Sequence, residues 1–314
     1  MCESSRRMGK TRRQTRRKRT KNSHMGGMVT NSKHCVIIDL ASQAGLGNQL
    51  FHYAAGIVAM KKTGLPMCIL PAKGNFHSAK NYRNTIFKQG SKVENANMKL
   101  RINRSIKVHE NIADDPHGKW SNRNLPTNKT RNIAMKGVFY QNYESIKSAI
   151  PDIRAELAAH FTNQYPNFKE SAFENTSPDA TLFMHVRKGD GTVLPTDYFT
   201  RAIDIVNTVP KIKTVYILSD ETAYCKEQVD KGVWKYTAEV RWIDDPNDEL
   251  KAMYLMSMCR GGAIISASTF SCWGAFLGAD EVADSVIIYP KMWGTGNSKR
   301  LSFPEQVDKK WIPI

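Results

Sequence analysis

The chain has 314 residues, 41% of them hydrophobic and 24% charged, enough to bury the core of one large domain or two of medium size, which excludes disordered and collagen-like classes. Its net charge of +17 is concentrated at the start: the first 24 residues carry ten Lys/Arg against the single acid Glu3, so the body is only mildly basic. No apolar run approaches the roughly 18 residues of a membrane span, and no apolar stretch follows the arginines as in a secretory signal, so a soluble, cytoplasmic chain is expected.

Residues 1–34, with RRMGKTRRQTRRKRTK and a Gly/Ser/Asn stretch behind it, cannot bury apolar surface and are expected to be a disordered basic tail. Two readings of it stand: a solvated tail, and a contact with nucleic acid or an anionic surface, because clustered Arg attracts polyanions. From Cys35 the pattern turns regular. CVIIDL predicts a strand, AGLGN a glycine turn, and Phe51, Ala54, Ala55, Val58 and Ala59 recur at helical spacing. MCIL at 67–70 predicts a second strand, whereas 72–132 is polar and poorly periodic and yields no element. IAMKGVFY at 133–140 reads as a strand, and 143–162 as a helix with Ile146, Ile150, Ile153 and Leu157 on one side.

The polar stretch ENTSPD at 174–179 is the best linker candidate. Beyond it strands and helices alternate: TLFMHV, a helix at 197–208, TVYILS, a helix at 222–231, a helix at 247–260, GAIISA, a helix from 271, and SVIIYP. Short β-branched runs separated by helices argue for parallel strands with right-handed crossovers, hence two Rossmann-like α/β domains facing each other across a cleft. The six cysteines (Cys2, Cys35, Cys68, Cys225, Cys259, Cys272) show neither CxxC nor paired His spacing, so reduced thiols and no zinc site are expected. No DxD pair stands between strands; Asp244-Asp245 reads as a solvated turn before Pro246.

Several motifs follow strands. Gly45-Leu46-Gly47-Asn48 lies where a strand hands over to a helix, where free N–H groups collect, but the third glycine of a dinucleotide fingerprint is missing and, taken by itself, it reads as a structural turn. His185-Val186-Arg187-Lys188-Gly189-Asp190 brings cations to a strand's carboxyl end, where Arg187 can fork onto a phosphate or pair with Asp190. Ser219-Asp220-Glu221 and Ser268-Thr269-Phe270-Ser271 close two further strands; they could serve a ribose, a guanine or a phosphate, but each read singly is a helix cap.

Taken in order, GLGNQLFHYAAG, GVFYQNY, HVRKGD, LSD, STFSCWGAFLG and YPKMW resemble the α-1,2-fucosyltransferases of glycosyltransferase family 11, over about residues 35–293. The resemblance implies a GT-B-like fold, with an acceptor-side domain over 35–175 and a GDP-fucose-binding domain over 176–314. It implies GDP-fucose as donor, a galactose-containing glycan as acceptor, and no metal or other cofactor. Protein O-fucosyltransferases share this donor chemistry and are the alternative within the class; polyanion binding through the tail is the alternative outside it. Donor contacts are implied for Gly45, Gly47, Asn48, His185, Arg187, Lys188, Asp220, Ser268, Thr269 and Phe270, and acceptor contacts for Gln141 and Trp273. Arg187 would grip the diphosphate with Asn48 close to the fucose, and Asp190 is the first candidate for general base, ahead of Asp39 and Glu221. Lys188 stands where the family usually has a second Arg, and His52 where it usually has Gln.

Overall fold

The computed structural model describes residues 34–40, 45–70, 82, 85–92, 105–109, 125–126, 130–136, 140–189, 193–243, 245, 248–293, 300–301 and 310–314. Three short strands, β1 (Val36–Ile38), β2 (Met67–Ile69) and β3 (Gly90–Lys92), are followed by β4 (Ile106–His109) and β5 (Ile133–Lys136). Among the described residues these form a parallel sheet in the order β3-β2-β1-β5-β4. The second sheet takes β6 (Thr181–Val186), β7 (Thr214–Ser219), β8 (Glu239–Trp242), β9 (Gly262–Ile264), β10 (Val286–Tyr289) and β13 (Ile312–Pro313), parallel throughout in the order β13-β10-β9-β6-β7-β8. A small antiparallel pair joins β11 (Met292–Trp293) to β12 (Arg300–Leu301). The expected α/β class with parallel sheets is therefore found. Its cause is visible in β1, β6 and β7, whose residues are buried without alternation, as strands covered on both faces must be.

Helix α1 (Leu46–Thr63) is buried almost all round and ends at Gly64, whose φ of 68° closes the last turn through an N–H donated to the Met60 carbonyl. The helix predicted over 143–162 is broken into α2 (Tyr143–Ile146), a 3-10 turn at Lys147–Ala149, and α3 (Ile150–Gln164). Pro151 is the reason: it has no N–H to continue a helix from behind but fits the first turn of a new one. Next come α4 (Phe168–Ala172), α5 (Thr196–Asn207), α6 (Thr222–Asp230), α7 (Glu249–Met258) and α8 (Thr269–Leu277). Asp248 caps α7 by accepting from the Leu250 and Lys251 amides.

Ser32–Ile314 is one compact unit, and a single apolar cluster runs from Val36, Phe51 and Ile57 through Ile153 and Phe161 to Trp273, Phe276 and Trp311. Helices α1, α3, α7 and α8 carry it between the two sheets. Edge-to-face contacts of Phe51 with Trp273 (centroids 5.1 Å) and Phe276 (6.4 Å) lie at its centre. Cys225, Cys259 and Cys272 are buried, and burial raises each thiol pKa, so they remain protonated core residues. Among the described residues no helix is long and apolar enough to cross a membrane.

Candidate active site

Strand order marks where a ligand fits. The chain leaves β1 toward β2 but returns on the other side at β5; it leaves β6 toward β7 and returns on the other side at β9. At such reversals the connections beyond the carboxyl ends diverge and leave a crevice. Each reversal holds a polar pair. Beyond β1 and β5, Gln141 Nε2 donates to Asn48 Oδ1 at 3.3 Å. Beyond β6 and β9, Arg187 Nη1 donates to Ser268 Oγ at 3.3 Å.

Gly47 brings the two pairs together. A Cβ on Gly47 would stand 2.5 Å from the Phe270 nitrogen and 2.6 Å from both the Thr269 carbonyl carbon and its Oγ1, so the first turn of α1 lies on the first turn of α8 with room for hydrogen only. Two helix N-termini, each with unpaired N–H groups and a positive dipole end, thus meet beside a guanidinium, a combination that stabilises a polyanion. Gly45, just before α1, has no atom within 4 Å of such a Cβ and is exposed.

The remaining predicted residues divide. Ser268 stands at the N-cap position of α8 in an extended conformation without a side-chain capping bond, Thr269 opens that helix, and Phe270 lies 5.4 Å from the His185 ring, centroid to centroid. His185 is nearly buried and its Nδ1 is 2.5 Å from Ser271 Oγ, so it ties β6 to α8. Lys188, expected at the diphosphate, instead lays its ammonium 3.4 Å from the centroid of the Tyr224 ring, whose hydroxyl is 2.8 Å from Thr196 Oγ1. Asp220 accepts from the Lys188 and Gly189 amides, both at 2.9 Å. One expectation is corrected: Trp273 is completely buried between Phe51 and Phe276, so it packs the core and has no face for an acceptor sugar. Asp190 lies outside the described residues; Asp39 is half-buried after β1, and Glu221 is exposed ahead of α6. Among the described residues no three His, Cys, Asp or Glu side chains converge as a metal site.

Ser266 and Tyr224 were not singled out by sequence reasoning, whereas Ser271, read there as a phosphate contact or a helix cap, instead meets the His185 ring. Ser266 Oγ accepts the Arg187 amide at 3.1 Å and donates to the His185 carbonyl at 2.6 Å. Its signal was a hydroxyl within the apolar run GAIISA, at a place where a buried strand would otherwise continue.

Burial holds two imidazoles neutral. His185 is lowered to about 4 by desolvation, opposed by Asp220 and reinforced by Arg187. His52, stacked 4.8 Å from Tyr140, is also lowered to about 4 by desolvation, with the Asp39 main chain opposing. The unfolded chain takes up these protons near the ordinary 6.5, the folded chain only near 4. The contribution of each ring is therefore complete above pH 6.5, falls as pH drops through that window, and levels off below about 4, a change of about 3 kcal/mol per ring. Urea unfolding at pH 7 and pH 4.5 checks this: His52→Gln is expected to remove about half of the histidine-dependent slope.

Fold and site together define an α/β protein with two parallel sheets, in which two helix starts and a guanidinium meet where the strand order reverses. The family model for glycosyl transferase family 11 matches residues 29–314, and the chain belongs to that family. It is 29% identical over 144 residues to the O-antigen biosynthesis glycosyltransferase WbnK of Escherichia coli, a match spanning 42% of this chain and 44% of that protein, less than half of either. Among solved structures it is similar to the fucosyltransferase NodZ from Bradyrhizobium, with 16% identity and a TM-score of 0.48 over 78% of this chain and 92% of that one. It is also similar to POFUT1 in complex with GDP, with 10% identity and a TM-score of 0.46 over 83% and 99% of the two chains.

Proposed function

We propose that this protein transfers L-fucose from GDP-β-L-fucose to the 2-hydroxyl of a terminal galactoside, inverting the anomeric carbon in one in-line displacement without a metal. The observation that carries this reading is the Arg187–Ser268 pair beside the two abutting helix starts at Gly47 and Thr269. Membership of glycosyl transferase family 11 supports the sugar-transfer chemistry.

The difficult step in such a reaction is charge separation: negative charge collects on the departing diphosphate while the fucose ring becomes oxocarbenium-like. Fixed donors aimed at the diphosphate stabilise that state more than the bound substrate. Arg187 supplies a permanent charge and a planar fork, Ser268 and the first amides of α8 supply neutral donors, and none must reorganise as the bond breaks. Asn48 and Gln141, across from them, are suited to hydroxyls of the transferred sugar or the acceptor, since each amide side chain both donates and accepts.

The test incubates purified protein with GDP-fucose and a panel of galactosides, measures GDP release, and reads the product linkage by NMR. An α-1,2 product is expected; transfer only to another hydroxyl or to a peptide would overturn the acceptor assignment. Because Arg187 and the helix starts carry the charge work, turnover in excess EDTA is expected to stay within about twofold of the untreated rate. A loss restored by Mg²⁺ or Mn²⁺ would contradict that.

A further inference from the structure

The loop leaving β6 is held in an unusual way. Its three consecutive main-chain N–H groups, at Arg187, Lys188 and Gly189, all donate to side chains from neighbouring strand ends: Ser266 Oγ beyond β9, and both carboxylate oxygens of Asp220 beyond β7. A second tie runs the same way, with the Lys188 ammonium over the Tyr224 ring on α6. These three amides are therefore spent within the protein, and among the described residues of the loop Arg187 supplies the guanidinium. Where that guanidinium points depends on the backbone conformation at 187–189.

We infer that Asp220 is a positioning residue for Arg187: its carboxylate clamps the loop so that the guanidinium meets the donor's pyrophosphate, and it does not read the nucleobase. This rests on the donor assignment proposed above. The Asp220 carboxylate accepts one N–H on each oxygen, so one acceptor direction of each is committed to the loop. Each oxygen keeps a second acceptor direction, so reading the base and clamping the loop are told apart by binding.

The two roles separate in binding measurements. Asp220→Asn keeps the side-chain shape and loses one acceptor and the charge. Calorimetric titration of wild type and variant with GDP, with inosine diphosphate, which lacks the 2-amino group, and with inorganic pyrophosphate reads the difference. A positioning role predicts that affinities for all three fall together, by about tenfold, with the GDP-to-inosine-diphosphate ratio within about twofold of wild type. It also predicts that in an Arg187→Ala background Asp220→Asn has no further effect, because the two act as one unit. Gly189→Ala gives a second route: its Cβ would press on Asp220 Oδ2 from 3.0 Å, loosening the clamp with the carboxylate intact, and should weaken the same three ligands in the same proportions. A collapsed base preference with pyrophosphate binding unchanged, additive effects with Arg187→Ala, or no change in either variant would each overturn the inference. Wild-type protein that bound neither GDP nor pyrophosphate would instead bring down the donor assignment, and the inference with it.

Discussion

Replacing Arg187 by Ala is expected to cut turnover by at least about a hundredfold while leaving the fold intact. Loss of one preorganised donor to a developing anion costs roughly 3 kcal/mol, and in the proposed reaction Arg187 supplies the charged one. The side chain is half-buried at the end of β6 and lies outside the core, and its amide bond to Ser266 survives truncation, so the thermal midpoint should move little. The interaction strengthens as the diphosphate departs, so kcat and kcat/KM should fall together; a rise in KM alone would mean that the residue binds ground and transition states equally. Arg187→Lys should restore only part of the rate, because an ammonium keeps the charge but not the fork.

Gly47→Ala carries the second large effect, and here stability and activity are expected to fall together. The new Cβ would meet main-chain atoms of Thr269 and Phe270 at 2.5 to 2.6 Å, and backbone cannot swing aside as a flexible side chain can. Relief requires α1 and α8 to move apart, against a shared core in which Phe51 packs on Trp273. Overpacking of this kind costs about 1–3 kcal/mol or more, which for a chain of this size lowers the thermal midpoint by several degrees. The same displacement separates the Asn48–Gln141 pair from the Arg187–Ser268 pair, so transfer should be lost in whatever fraction stays folded. Gly45→Ala is the control: its backbone is extended, with φ −102° and ψ 173°, nothing lies within 4 Å of the added methyl, and stability should be unchanged within about 0.5 kcal/mol. Paired thermal melts separate the two variants.

How much of this could be read from the residues follows from burial. The inner strands β1, β2, β5, β6, β7, β9 and β10 announce themselves as short apolar runs because helices cover both faces of a parallel sheet. Of the unpredicted strands, β3, β4, β8 and β13 are the four edges of the two parallel sheets, and β11 and β12 pair with each other. An edge strand is not required to be apolar throughout, and Gly90-Ser91-Lys92 in β3 has no side chain that would mark it as a strand. Arg187, Ser268 and Asn48 were legible for a related reason: each stands just past a recognisable strand, where open α/β sheets collect their ligand contacts. Ser266 and Tyr224 were not, since what they touch depends on which strands become neighbours, and the reversal at β6 and β9 is invisible in the order of elements along the chain. Trp273 misled because an aromatic beside a helix start looks the same whether it faces a sugar or the core.

The most direct test of the account is a crystal structure of the protein with GDP. The pyrophosphate is expected against the Arg187 guanidinium and the start of α8, with the nucleoside over the carboxyl ends of β6 and β7. A nucleotide bound elsewhere, or an Arg187 side chain turned to bulk solvent while GDP occupies the crevice, would contradict it.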